Sequence, residues 1–277
     1  MKDKVKSLRV NGFSYSEIAK KIGKSRKFAW KHGKGIKFSE SGEKRYKDKV
    51  KGIILQIKPQ SLGLSIEKAR IISHIFFDGT IFKSNYHSIV RYINSSKELI
   101  NQFIDDVKKV YGLNNPIIET FSQCKVPYYK VAFSSKKMYE DLLKYIPLNI
   151  NKKDLLPIPS EILNGDRDIK LVFLSSFFTD EGSISKDGRI TGDLKNEKMI
   201  RQIILILEEF GLPFRICKYE EKNGPIFKIY LPKKIEYLEI FQHLKLFDKS
   251  IITHGKNINK KKQDILKLTL ERLKNPL

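Results

Sequence analysis

The chain reads as an α+β protein in two parts: a basic helical unit over residues 1–37, then a duplicated region in which the order αββαββα occurs over 64–155 and again over 156–277. Three observations predict this. Two apolar, helix-like runs, ARIISHIFFDGTI (Ala69 to Ile81) and LVFLSSFFTDEGSI (Leu171 to Ile184), each end on an acidic residue and a glycine, and Asp78 and Glu181 stand 103 residues apart. The pattern after each acid is the same, which is the mark of two similar halves related by a pseudo-twofold axis. Finally, residues 1–51 hold 17 Lys or Arg against five Asp or Glu, a net of +12 and about half of the excess in the whole chain.

In the first unit, Val5, Leu8 and Val10 predict a helix ended by the turn signal Asn11-Gly12. Ser14-Tyr15-Ser16-Glu17 is a capping box, in which Ser14 accepts from the helix backbone and Glu17 reaches back. The second helix turns Ile18, Ala19 and Ile22 inward. Gly23 supplies a tight turn, and Ser25 caps a third helix holding Arg26, Lys27, Trp30 and Lys31. Residues 3 to 33 resemble a helix-turn-helix, which implies that Arg26, Lys27 and Lys31 face DNA bases or phosphates in the major groove. A three-helix domain with a solvated basic face, or a protein-binding adaptor, would carry the same pattern.

Residues 38–63 are charged and weakly patterned, and Pro59 and Gly63 interrupt them. They read as a basic linker with room for a short helix around Tyr46 to Gln56. Ser65 caps the first long apolar helix, with Glu67 in its opening turn as the helix dipole favours. After Asp78 the strands GTIFKS and HSIVRYIN, the helix KELINQFIDDVKKVYGL, the strands NPIIETFS and VPYYKVAFSS and the helix KKMYEDLLKYI are expected. After Glu181 the counterparts are GSIS, GRITGDLK, EKMIRQIILILEEFGL, PFRICKYEE, GPIFKIYLPKK and IEYLEIFQHL. Lys130 and Lys228 fall at matching places. Strand alternation groups Arg91 with the aliphatic Ile89 and Ile93, a poor position for a groove contact, and groups Arg189, Thr191, Asp193 and Lys195 on a polar face. At the end of the chain Ile265, Leu268 and Leu273 form a helical stripe suited to docking on the second repeat. Lys260, Lys261 and Lys262 read as a solvated face or as phosphate contacts.

With 277 residues, 40% of them hydrophobic, the chain can bury a sizeable core, and its net charge of +23 calls for an acidic polymer as partner. Nucleic acid is favoured over a membrane surface, since no long apolar span, signal peptide or lipidation motif occurs. Cys124 and Cys217 are isolated and strand-borne, as in a reducing, cytoplasmic setting, associated with the nucleoid if the source is prokaryotic. The five histidines show no ligand spacing, and His74 reads as a packed or partner-satisfied residue.

Ile71 to Gly79 and Leu174 to Gly182 resemble the nine-residue motif of the LAGLIDADG homing endonucleases, in the two-motif, single-chain form. The resemblance implies two motif helices in close contact through Ala69, Ser73 and Ser176, because small residues let helix backbones approach. It places Asp78 and Glu181 together as metal-binding and catalytic acids, with Mg²⁺ or Mn²⁺ as cofactor, since paired carboxylates favour a shared hard cation. Each following glycine is expected to provide a helix-ending backbone. Lys130 and Lys228 are candidate catalytic residues near the reaction centre, or strand lysines on phosphate or solvent. Two curved sheets would form a saddle over double-stranded DNA, with Arg189, Thr191 and Lys195 among its contacts, in a monomer with internal pseudo-twofold symmetry. His74, Phe76, Phe77 and Asp180 depart from the usual motif residues. Three activities follow: a metal-dependent, site-specific DNA endonuclease; a non-cleaving DNA-binding transcriptional regulator on the same scaffold; or an intron RNA maturase.

Overall fold

The computed structural model describes residues 1–55, 63–84, 87–122, 125–146, 156–222, 224–253 and 257–275, without the side chains of 48–55 and 84. Cys124 lies outside them. The chain divides into two compact units, Met1–Pro59 and Gln60–Leu277.

The first unit consists of α1 (Lys2–Val10), α2 (Tyr15–Ile22), α3 (Arg26–Gly33) and α4 (Glu40–Leu55) around Val5, Ile18, Ala19 and Ala29. Local chemistry sets its boundaries. Ser14 and Glu17 form both halves of the capping box, Gly23 takes the left-handed conformation at φ 65° that ends α2, and Ser25 accepts from Phe28 N–H to start α3. Helix α4 is longer than the short helix expected around Tyr46 to Gln56. Ser39 donates from both its backbone N–H and its hydroxyl to the Val10 carbonyl. Gly12 and Gly42 cross so closely that a Cβ on either would lie 2.1 Å from a carbonyl oxygen of the other segment. Arg45 stacks over Phe13 at 3.6 Å. Glycines and a cation anchor this helix.

In the second unit, α5 (Ile66–Phe76), β1 (Gly79–Ser84), β2 (His87–Asn94), α6 (Lys97–Tyr111), β3 (Ile117–Phe121), β4 (Tyr128–Ser134) and α7 (Lys136–Leu142) form the first repeat. A short α8 (Ser160–Leu163) leads into the second: α9 (Arg167–Asp180), β5 (Gly182–Ile184), β6 (Ile190–Leu194), α10 (Glu197–Glu209), β7 (Arg215–Glu221), β8 (Gly224–Tyr230) and α11 (Ile235–His243), followed by α12 (Lys262–Lys274). Each repeat makes one four-stranded antiparallel sheet, ordered β1-β2-β4-β3 and β5-β6-β8-β7. The predicted order αββαββα is present in both halves, and one hydrophobic core runs through them.

Strand register separates the faces. In the first sheet Val90, Tyr92, Val131 and Phe133 are buried against the helices. Ile89, Arg91 and Ile93 have the opposite parity and lie on the open face, where Arg91 sits between Thr80 and Ala132. Ile89 and Ile93 thus share the open face with Arg91, although aliphatic character suggested the buried one. In the second sheet the corresponding open positions carry Ser183, Thr191 and Asp193. Lys130 opposite Ile93 and Lys228 opposite Asp193 occupy equivalent registers.

The motif helices α5 and α9 pack against each other. Ala69, Ser73 and Ser176 are buried, and each serine hydroxyl donates to the carbonyl one turn earlier, Ala69 for Ser73 and Val172 for Ser176. The hydroxyls are thus satisfied within their own helices. Phe77 packs its ring 5.5 Å from those of Phe173 and Phe177. Helix α12 buries Ile265, Leu266 and Leu270, while Leu268, expected in the docking stripe, is 44% exposed.

Candidate functional site

Asp78 follows the last turn of α5 and is exposed, and Glu181 caps α9 with partial exposure. Gly79 and Gly182 start β1 and β5 directly. Neither has a positive φ. Their requirement is close approach, which corrects the helix-ending role expected of them: a Cβ at Gly79 would lie 2.5 Å from the Ile75 Cα, and one at Gly182 2.4 Å from the Phe178 carbonyl oxygen. Each glycine lets a strand leave flush against the final turn of its motif helix.

The unusual motif residues meet one another. His74 Nδ1 lies 2.7 Å from a carboxylate oxygen of Asp180, both side chains being buried. Tyr92 donates to Asp180 at 2.8 Å and Asn94 Nδ2 at 3.1 Å. The same Asn94 amide reaches Asp78 at 3.4 Å. A polar chain therefore crosses from one motif helix to the other and ends at the exposed acid. Burial first, then the Asp180 charge, hold the Tyr92 hydroxyl far above the ordinary tyrosine range, so it stays a donor.

Lys262, the first residue of α12, is buried and donates to the carbonyls of Phe178, Thr179 and Gly182 at 3.3, 3.1 and 2.6 Å. It is neither a solvated lysine nor a phosphate contact. A cation here closes the carbonyls at the end of α9, where the helix dipole is negative. Burial pushes its ammonium down to about 8, against the opposing charges of Asp180, Asp78 and Glu181. Three carboxylates thus act on one ammonium.

Asp78, Asn94, Asp180 and Lys262 line a cleft of about 530 Å³. Ile93 and Tyr128 from the open face of the first sheet and Ser183 from that of the second also line it. The acid site is therefore at the junction of the two open faces. Lys130 and Lys228 stand outside this lining: Lys130 pairs with Glu119 at 2.5 Å, and Lys228 lies over the Tyr219 ring. Thr191 hydrogen bonds Ser183 on the open face, Arg189 is exposed just before β6, and Lys195 is exposed just after it. Arg26, Lys27 and Lys31 are exposed along α3 in the separate first unit. Sequence reasoning missed Asn94, Tyr92 and Lys262; Asn94 closes a strand whose first partner follows Asp78, and that register was the available signal.

The donor set suits a hard dication. Asp78 and Glu181 offer carboxylate oxygens, and among the described residues no group of three or more His, Cys, Asp or Glu could enclose an ion. Carboxylate oxygens match Mg²⁺ better than zinc; Asp78 lines the cleft, whereas Glu181 is not among its lining residues.

Neither a family model nor a curated protein matches the sequence. Solved structures do. The homing endonuclease I-DmoI in complex with DNA and Mn aligns over 66% of this chain and 98% of its own, at 15% identity and a TM-score of 0.50. The homing endonuclease I-WcaI bound to its DNA recognition sequence aligns over 76% and 89%, at 19% identity and 0.46. Full-length DUF199/WhiA from Thermatoga maritima aligns over 79% and 64%, at 16% identity and 0.46. The class is the two-repeat α+β fold of LAGLIDADG homing endonucleases. The chain is similar in this fold to I-DmoI, and at 15% identity the likeness is one of fold alone.

Proposed function

We propose that the chain is a divalent-metal-dependent endonuclease of double-stranded DNA. The observation that carries this reading is the cleft holding Asp78, at the ends of two packed motif helices and open to both sheet faces. A duplex lying along those faces presents phosphates to the acids. Mg²⁺ or Mn²⁺ held by Asp78 and Glu181 supplies activation of water and stabilisation of the leaving oxygen. The remaining work falls to the chain: Asn94 orients the Asp78 carboxylate, and Lys130 and Lys228 attract the backbone from equivalent sheet positions. Arg189, Thr191 and Lys195 add contacts on the second sheet. Arg26, Lys27 and Lys31 of α3 lengthen the recognised sequence through the first unit. Because both acids come from one chain, a monomer suffices.

Incubation with a pool of random duplexes and Mg²⁺ or Mn²⁺ is expected to yield discrete double-strand cuts. Asp78→Asn and Glu181→Gln should each abolish cutting while duplex binding persists. One observation favours a binding-only protein: the Lys262 ammonium already offsets carboxylate charge that a metal would otherwise offset. Metal-independent binding of a specific duplex that wild-type protein never cuts would establish that reading instead.

A further inference from the structure

We propose that the open face of the first sheet reads thymine methyl groups, so that the half of the target lying on it is thymine-rich while the other half is read through hydrogen bonds. This rests on the double-stranded DNA reading above. The two repeats place different chemistry at equivalent registers. Where the second sheet has Asp193, beside Lys228, the first has Ile93, beside Lys130. Where the second has Arg215, opposite Tyr230, the first has Ile117, opposite Ala132 and 58% exposed. Ile89 lies opposite Phe82 on the same face and completes an aliphatic and aromatic surface.

Such a surface left in water is costly and marks a place where something binds. The apolar group that a major groove presents is the thymine 5-methyl, and aliphatic and aromatic side chains are suited to meet it. Duplex DNA is favoured over a protein as the occupant for three reasons. The patch runs into the acid cleft through Ile93 and Tyr128. The chain as a whole carries a charge of +23. At the centre of the patch Arg91 lies 5.1 Å over the Phe82 ring, with a buried Nε–H that has no acceptor among the described residues, which suits a polar ligand. The second sheet, with Ser183 and Thr191 hydroxyls 2.7 Å apart and Asp193 beside them, offers donors and acceptors at the same places.

The test is selection of bound duplexes from a random library with full-length protein, followed by replacement of thymine with uracil in each half of the selected site. One half should be enriched in thymine, and each uracil placed there should weaken binding about fourfold, the worth of one buried methyl. Uracil in the other half should leave affinity unchanged. Ile89→Ser and Ile93→Ser should abolish the sensitivity to uracil without unfolding the protein, checked by circular dichroism. Specific binding that is indifferent to uracil in both halves overturns this inference and leaves the nuclease reading standing. Failure to select any duplex removes both. A dimer of the free protein that Ile89→Arg converts to monomer would show that the face is a protein interface and overturn the inference.

Discussion

Asp180 is a buried carboxylate held by three partners from elsewhere in the fold, His74, Tyr92 and Asn94. Removing one partner of a buried pair leaves the other uncompensated, at about 3–5 kcal/mol. His74→Ala should therefore lower unfolding free energy by that order in urea titrations. Replacing His74→Leu, Asp180→Ala and Tyr92→Phe together should recover most of that loss, because the Asn94 amide still reaches Asp78 and Lys262 keeps its three carbonyls. Loss in the triple variant as large as in the single one would contradict this account. Asp106 behaves differently. It accepts two bonds from Arg70 at 2.9 Å, yet burial raises its carboxyl to about 6 against the pull of that guanidinium. Its folded value lies above the unfolded 3.8, so the folded state binds the extra proton between them and stability is gained as pH falls through 6. Relative to Asp106→Asn, wild type should gain up to about 3 kcal/mol between pH 7 and pH 4, read from urea midpoints.

At the scale of elements, two helix-to-strand junctions govern the site. Gly79→Ala and Gly182→Ala each force a Cβ onto backbone atoms of the preceding turn. Such clashes cannot be relieved by a side-chain rotation, so each should cost about 2–3 kcal/mol. Cleavage should fall more than stability alone explains, because the acid is the neighbouring residue; an alanine variant with wild-type melting and activity would refute the close-approach argument. These junctions were legible in the sequence, as were the caps at Ser14, Ser25 and Ser65, because caps and motif ends are written in a few consecutive residues. The faces of the first sheet were not legible. Alternation identifies Ile89, Arg91 and Ile93 as one face but equates aliphatic with buried, and on this sheet the open face carries Ile89 and Ile93 beside Arg91 and Lys130. The His74–Asp180 contact joins residues 106 apart, which local pattern cannot see. Lys262 was hidden in a run of three lysines, only one of which folds inward.

For the whole molecule, charge is the dominant long-range property. Lys and Arg exceed Asp and Glu by 23 over two separate compact units. Duplex binding should weaken steeply with salt, and the slope of log affinity against log salt counts the phosphates neutralised. Arg26→Ala and Lys27→Ala should each reduce that slope by about one and leave the cleavage position unchanged. A slope unaltered by both would remove α3 from the interface. No helix among the described residues is long and apolar enough to cross a membrane.

Lys262 also has a consequence in time. It lies 80 residues beyond Gly182, whose carbonyl it closes together with those of Phe178 and Thr179. During synthesis the second motif helix emerges long before its clasp. Asp78 and Asp180 are made well before the cleft they line with Lys262 can take its final form. The end of the second motif helix is therefore closed late, by a lysine that follows the strands and helices of both repeats.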